Sequence, residues 1–265
     1  MVINLIDINF AGRDLINNPK NFKWSTENKK VSDNIFFTDY MLEKHDKLKT
    51  DQKKIAWILE PRTIADKAYG FVQKNYNKFY KVLTYDRELL SCIDNGLFCP
   101  YGSYWVTDKK EYNKTKNVSL IASHKNFTIG HQLRHHIADR FKDKVDLYGR
   151  AYKHVQEKNE ALDSYYFSIT VENSIQNSYW TEKLLDCFIT KTIPIYWGTE
   201  DVANFFDSEG IIFFNDIDEL QHKLSNATSD LYKSKLKAVE FNYEQAKKYK
   251  DPEDYIFDNY NYLLK

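Results

Sequence analysis

The sequence is poor in the residues from which disulfide frameworks and glycine-rich nucleotide loops are built. It has three cysteines, eight glycines and five prolines in 265 residues. Cys92, Cys99 and Cys187 are odd in number, and their spacings match no zinc motif, which predicts reduced thiols and no structural metal site. Neither Gly-x-Gly-x-x-Gly nor a Walker A loop occurs, so dinucleotide redox chemistry and P-loop phosphotransfer are unsupported.

The chain also lacks a net charge and a long apolar run. Its 38 basic side chains balance 38 acidic ones, which argues against a general nucleic-acid-binding protein. No stretch of about 20 apolar residues predicts a transmembrane helix. The first residues have neither the basic start nor the apolar centre of a signal peptide. We therefore expect a cytoplasmic protein, or one peripheral to a membrane, with no nucleic-acid partner and no transmembrane segment.

What the sequence does contain is an alternation of short apolar segments with polar segments of helical periodicity. This alternation is typical of parallel strands covered by helices and predicts the α/β class. The run KKEYNKTKN, residues 109–117, is polar and marks the expected boundary between two domains, residues 1–115 and 116–240. The predicted strands lie at residues 2–8, 34–38, 54–59, 79–84, 118–123, 145–149, 166–172, 192–198 and 210–214. The predicted helices lie at residues 131–141, 179–190, 230–250 and 252–264.

The stretch ENSIQNSYWTEK, residues 172–183, places polar side chains where a predicted strand ends and a helix begins. Ligands of α/β sheets bind on this side, and helix N-termini attract anions. Asn173 and Glu182 are suited to hydroxyl groups of a sugar or ribose, and Tyr179 and Lys183 to phosphate oxygens. Ordinary helix capping and a solvated first turn explain the same residues equally well, so spacing alone leaves both interpretations open.

The segment from residue 165 to 206 resembles the donor-binding motif of the α-1,3-fucosyltransferases, glycosyltransferase family 10. That motif reads Tyr-x-Phe-x-x-x-x-Glu-Asn-Ser, then Tyr-x-x-Glu-Lys, a helix, and Pro-Ile/Val-x-Trp-Gly. Looser similarity extends to residues 120–150 and to AWILEPRTI, where Pro61 directly follows Glu60 and the family has an intervening Ser. The matching positions are Tyr165, Phe167, Glu172, Asn173, Ser174, Tyr179, Thr181, Glu182, Lys183, Pro194, Trp197 and Gly198.

The resemblance implies a GT-B architecture: two Rossmann-like domains with the active site in the cleft between them, and helices at 241–265 packing back toward the first. It implies an inverting transfer of L-fucose from GDP-fucose to a hydroxyl of an acceptor glycan, with no cofactor and no essential metal. Such a transfer needs a base for the acceptor, negative charge near the sugar and positive charge near the diphosphate. For the catalytic carboxylates the resemblance implies Glu60 as the base and Glu172 as the second. For donor binding it implies Arg134, Arg150, Asn173, Tyr179, Glu182 and Lys183, with Lys125 as a weaker phosphate candidate.

Two other functions stay open. The chain could be a transferase for a different nucleotide-activated sugar, because nothing in the sequence fixes the sugar ring. It could also be an inactive module that binds a nucleotide-sugar or a glycan. Metal patterns are weak: DID at 216–218 begins a predicted helix, where Asp is an ordinary N-cap, and His131 and His135 have no clear third ligand.

Overall fold

The computed structural model describes residues 1–8, 21–27 and 29–265. Contacts divide this part of the chain into two compact units. The first consists of Met1–Ser103, Gln176–Tyr179 and Tyr249–Lys265, and the second of Tyr104–Ile175 and Trp180–Lys248. Each unit contains one parallel sheet, which confirms the predicted α/β class.

The first change of unit follows Ser103, whereas the sequence-based boundary lies at residue 115. The polar run 109–117 lies in the second unit, where Lys114 makes hydrogen bonds. Its Nζ donates hydrogen bonds to the carbonyl oxygens of Leu162 at 3.1 Å and Thr190 at 2.6 Å. At the other end of the chain, the first unit takes up residues from Tyr249 onward, so residues 241–248 lie in the second.

Helices and strands alternate through both units. The strands are β1 (Val2–Ile6), β2 (Lys23–Ser25), β3 (Asn34–Thr38), β4 (Lys53–Ile58), β5 (Lys81–Thr84), β6 (Gly96–Phe98), β7 (Lys116–Ile121), β8 (Asp146–Tyr148), β9 (Tyr165–Val171), β10 (Ile193–Trp197) and β11 (Ile212–Phe213). The α-helices are α1 (Arg62–Asn75), α2 (Arg87–Cys92), α3 (Ile129–Phe141), α4 (Glu182–Ile189), α5 (Ile217–Asn226), α6 (Ser229–Ser234), α7 (Leu236–Ala246) and α8 (Pro252–Tyr260).

The first sheet has the order β2-β1-β3-β4-β5-β6 in the described residues, and all its pairs are parallel. Its central strands are apolar on both faces, as expected for a parallel sheet covered on both sides. Phe37 packs on one side with Tyr69 of α1. Phe36 and Trp57 pack on the other with Ile256 of α8. The strand order reverses direction between β1 and β3, where ligands of such sheets bind.

The second sheet has the order β11-β10-β9-β7-β8, again with parallel pairs only. Its order reverses between β7 and β9, so the carboxyl ends of these two strands form the expected ligand edge. Helix α3 follows β7 and helix α4 follows β9. The predicted apolar face of α4 is buried, but the helix begins at Glu182 and not at residue 179.

The predicted helix at 230–250 is wrong as a single element, because α6 and α7 meet at Lys235, which has a non-helical ψ of 6°. Across residues 1–8, 21–27 and 29–265, no helix has the length and apolar character needed to span a membrane.

Candidate active site

The polar residues of the stretch 172–183 lie at the ligand edge of the second sheet. Glu172 and Asn173 follow the last residue of β9, and Glu182 and Lys183 form the first turn of α4. The start of α3 lies close to the same strand end, as the hydrogen bond from the Gly130 N–H to the Asn173 carbonyl at 3.2 Å shows. Two helix N-termini and one strand end therefore converge at the strand-order reversal.

Glu172 is a fully buried carboxylate that fixes the start of α4. One oxygen accepts from the Thr181 backbone N–H at 2.9 Å and the other from the Thr181 hydroxyl at 2.8 Å. The Lys183 Nζ lies 3.5 Å from the same carboxylate. Burial raises the pKa of Glu172, whereas the positive charge of Lys183 acts in the opposite direction. These contacts hold the turn between β9 and α4.

Glu182 and Lys183 form a partly exposed charged pair at the N-terminus of α4. The Lys183 Nζ donates to Glu182 at 3.2 Å, and the side chains are 23% and 12% exposed for Lys183 and Glu182. Burial opposes ionisation, but the charges of Lys183 and Lys158 lower the pKa of Glu182 to about 2. Lys158 itself is held by Asp186, 2.6 Å from its Nζ. Glu182 is therefore ionised at neutral pH and available to accept hydrogen bonds from hydroxyl groups.

Arg134 orders the loop that follows β9. Its Nε donates to the Val171 carbonyl at 3.0 Å and its Nη2 to the Asn173 side-chain oxygen at 2.8 Å. The close approach that makes this possible depends on Gly130. A Cβ at that position would lie 1.7 Å from the Glu172 carbonyl oxygen, so any side chain would push α3 away from the strand end.

The other three predicted donor-binding residues differ in their burial. Tyr179 is buried in the first unit, where its ring packs 5.4 Å from that of Tyr85. Arg150 is exposed in the turn after β8. Lys125 is exposed before α3, with its Nζ 5.9 Å from the ring of Phe127. The structure thus joins Arg134 to Asn173 and Lys183 to Glu182 where β9 ends and α4 begins.

Glu60 lies in the first unit, two residues after the last residue of β4 and two residues before the first residue of α1. Its N–H donates to Asp39 Oδ1 at 3.4 Å, and its carbonyl accepts from the Tyr69 hydroxyl at 3.0 Å. Its side chain is partly exposed. The residue thus sits at the carboxyl end of a parallel strand, as the sequence analysis predicted.

Sequence reasoning overlooked the residues that hold these groups in place. Asp39 directly follows β3, so an acid after a predicted strand was an available signal. Gln176 and Lys158 carried no signal. The Gln176 Nε2 donates to Asp86 Oδ2 at 2.7 Å within the first unit, and only the folded chain brings these two residues together.

Two residues of the weak metal patterns, His131 and Asp216, cap helices in the structure. His131 and Thr128 form a capping box at the start of α3, with the His131 ring nitrogen 2.7 Å from the Thr128 hydroxyl. Burial and then the charge of Arg134 lower the pKa of His131 to about 4, which keeps the ring neutral. Asp216 caps α5, as predicted. In the described part of the chain, no group of three or more His, Cys, Asp or Glu residues is placed to hold a metal ion.

The chain is similar to known fucosyltransferases. It is 30% identical over 108 residues to an α-(1,3)-fucosyltransferase of Helicobacter pylori, covering 41% of this chain and 22% of that protein. It is 28% identical over 148 residues to the 4-galactosyl-N-acetylglucosaminide 3-α-L-fucosyltransferase 9 of Bos taurus, covering 52% of this chain and 39% of that one. The chain therefore spans well under half the length of these two relatives.

Among solved structures, an α1,3-fucosyltransferase crystallised with GDP-fucose superimposes with a TM-score of 0.55 at 20% identity, covering 81% of this chain and 72% of that one. TarM gives a TM-score of 0.59 at 13% identity, covering 89% and 56%. These similarities confirm the GT-B fold class. The family model described as glycosyltransferase family 10 (fucosyltransferase), C-terminal, matches residues 111–250, over half of the chain. The protein belongs to glycosyltransferase family 10.

Proposed function

We propose that this protein is an inverting glycosyltransferase that moves L-fucose from GDP-fucose to a hydroxyl of an acceptor glycan. One observation carries the proposal. Within the segment that matches the family, Arg134, Asn173, Glu182 and Lys183 converge where β9 ends and α4 begins. Family membership and the fold shared with a GDP-fucose complex support the same conclusion.

In this proposal the donor binds at the N-terminus of α4. The Lys183 ammonium and the helix N-terminus offset the charge that grows on the departing diphosphate. The exposed guanidinium of Arg150 adds positive charge, while Arg134 acts mainly by holding the Asn173 loop. The ionised Glu182 accepts hydrogen bonds from ribose or sugar hydroxyls, and Asn173 supplies a further amide. These side chains carry the donor without an essential metal.

Glu60 takes the proton from the acceptor hydroxyl as the new bond to the anomeric carbon forms and the bond to GDP breaks. Attack on the face opposite the leaving group inverts the configuration. Glu172 is buried and bonded to Thr181, which supports a role in ordering the donor loop and not in contacting the sugar. The acceptor is a glycan hydroxyl, and the galactosyl-N-acetylglucosamine unit in the name of the bovine relative is a suitable first probe.

Calorimetric titration with GDP, UDP and CDP, with and without chelator, tests the donor site. We expect GDP alone to bind, unaffected by chelator, and Lys183→Ala and Glu182→Ala each to weaken binding by at least ten-fold while the chain stays folded. Preference for another nucleotide would exclude GDP-fucose as the donor. Unchanged GDP affinity in both variants would refute the donor-site assignment.

Measurement of the transfer rate tests the assignment of Glu60 as the base. We expect Glu60→Gln to keep its affinity for GDP-fucose and to lose transfer to a 4-galactosyl-N-acetylglucosamine acceptor by about 100-fold or more. Near-normal transfer would move the base to another residue. GDP binding with no transfer by the unaltered protein to a panel of glycan acceptors would favour a binding module.

A further inference from the structure

A row of carboxylates runs along one edge of the first sheet. The neighbouring parallel strands β1, β3, β4 and β5 are each followed within two residues by an acid: Asp7, Asp39, Glu60 and Asp86. These four positions differ in their surroundings. Asp86 is paired with Arg62, whose Nε lies 2.7 Å away. Asp39, by contrast, faces the strand end that carries Glu60.

The backbone of Asp39 is held in an unusual conformation. Its φ of 31° lies in the left-handed region, which residues with side chains seldom adopt. Such strained positions persist only where the surrounding structure holds them, and they cluster at functional sites. Asp39 is only 7% exposed, so its conformation is set by packing inside the unit.

The conformation directs the Asp39 side chain at the peptide that carries Glu60. Asp39 Oδ1 accepts from the Leu59 N–H at 2.9 Å and from the Glu60 N–H at 3.4 Å. On its other side, the Glu60 peptide carbonyl accepts from the Tyr69 hydroxyl at 3.0 Å. Both backbone polar groups of Glu60 are therefore fixed by side chains from different elements, which orients the Glu60 side chain.

Asp39 is also coupled to its neighbours by charge. Burial raises the pKa of Asp39 to about 7, backbone N–H donors act in the opposite direction, and the charges of Glu60 and Asp7 raise it further. The other titratable groups that face it are the hydroxyls of Tyr40 and Tyr69, whose pKa values are raised by burial and, more weakly, by the Asp39 charge. Asp39 therefore changes its charge close to neutral pH.

We propose that Asp39 is a positioning residue for Glu60: its carboxylate holds the Glu60 peptide through two N–H donors, and its charge acts on the neighbouring side chain. The proposal rests on the assignment of Glu60 as the base. Nothing in the motif that matches the family includes Asp39, which is supplied by the strand beside that of Glu60.

Three substitutions separate the hydrogen bonds of Asp39 to the Leu59 and Glu60 N–H groups from the effect of its charge. Asp39→Asn keeps an acceptor oxygen and suits a positive φ, but removes the charge. Asp39→Gly suits the same backbone but removes the acceptor. Asp94→Asn is the matched control, because Asp94 is exposed in the same unit.

Hydrogen–deuterium exchange tests the contact without any assumption about activity. In Asp39→Gly we expect the Leu59 and Glu60 amides to exchange at least ten-fold faster than in the unaltered protein. In Asp39→Asn and Asp94→Asn we expect unchanged protection. Unchanged protection in Asp39→Gly would overturn the proposal.

Steady-state transfer from GDP-fucose to the 4-galactosyl-N-acetylglucosamine probe tests the consequence. In Asp39→Gly we expect kcat to fall by about ten-fold to 100-fold with the KM for GDP-fucose unchanged, since a displaced base affects chemistry and not donor binding. In Asp39→Asn we expect kcat to be restored and the kcat/KM profile to lose the step near pH 7 at which Asp39 gains its charge, because the amide does not titrate.

Glu60→Gln separates failure of this proposal from failure of the proposed function. If Glu60→Gln loses transfer while Asp39→Gly keeps its kcat, only the positioning role of Asp39 is overturned. If Glu60→Gln keeps transfer, the base assignment is overturned and the positioning role falls with it.

Discussion

Replacing Glu172 distinguishes a structural carboxylate from a catalytic one. In Glu172→Ala, the Thr181 N–H and hydroxyl both lose their acceptor inside a fully buried site. Each buried donor left without a partner costs about 1–3 kcal/mol. We therefore expect the free energy of unfolding to fall by about 2–6 kcal/mol, and GDP binding to weaken because the first turn of α4 is no longer held.

The Glu172→Gln variant should behave differently. Its amide oxygen can still accept from the Thr181 N–H, and its amide N–H can donate to the Thr181 hydroxyl, which turns to accept. The loss is the attraction of Lys183, 3.5 Å away and partly exposed. We expect a cost of about 1 kcal/mol, in the range of a partly screened ion pair, and near-normal GDP affinity.

Urea unfolding followed by circular dichroism measures both costs, and calorimetry measures GDP affinity. Asp230→Asn is the control, because the Asp230 side chain is 91% exposed and should shift stability by less than about 0.5 kcal/mol. The structural role of Glu172 is refuted if Glu172→Ala is as stable as the unaltered protein. The structural role is also refuted if Glu172→Gln stays stable and binds GDP but loses transfer as completely as Glu60→Gln, since Glu172 would then be catalytic.

Two further predictions concern backbone approach and a buried cation. Gly130→Ala should lower the free energy of unfolding by about 3 kcal/mol and weaken GDP binding, because its Cβ would lie 1.7 Å from the Glu172 carbonyl oxygen. Gly70→Ala is the control and should be neutral or stabilising, because a Cβ at Gly70 would have nothing within 4 Å. Equal stability of the two variants would contradict the predicted clash at Gly130. Burial lowers the pKa of Lys114 to about 7, so the unfolded chain holds an extra proton between about pH 7 and pH 10. The free energy of unfolding should rise with pH across that window by up to about 4 kcal/mol relative to Lys114→Met, and parallel pH profiles of the two proteins would refute it.

The strands were predictable because parallel strands buried on both faces require continuous apolar runs. Strands β3, β4, β9 and β10 each lie within one residue of their predicted bounds. Helix starts were less predictable. Thr181, with its side chain accepting from the Lys183 N–H, begins α4 three residues later than expected, and periodicity cannot tell which polar residue will cap.

The candidate site was predictable where its residues are close in sequence. Asn173, Glu182 and Lys183 lie within one short stretch between a strand and a helix, where a folded α/β chain presents groups to a ligand. Tyr179 lies in the same stretch, yet its ring is buried against Tyr85 in the first unit. Proximity in sequence does not determine the surroundings of Tyr179, because residues 176–179 belong to the first unit and the residues on both sides of them to the second.

The sequence by itself determined the α/β class, the family and the strand–helix junction that carries the polar stretch, because each depends on local composition and spacing. Only the tertiary structure decided which side chains hold those groups. Asp39 reaches Glu60 because β3 and β4 are neighbours in the sheet, and Lys158 lowers the pKa of Glu182 because packing brings the two together. Such pairs join residues far apart in the chain, and strand order and burial, which no local pattern encodes, select them.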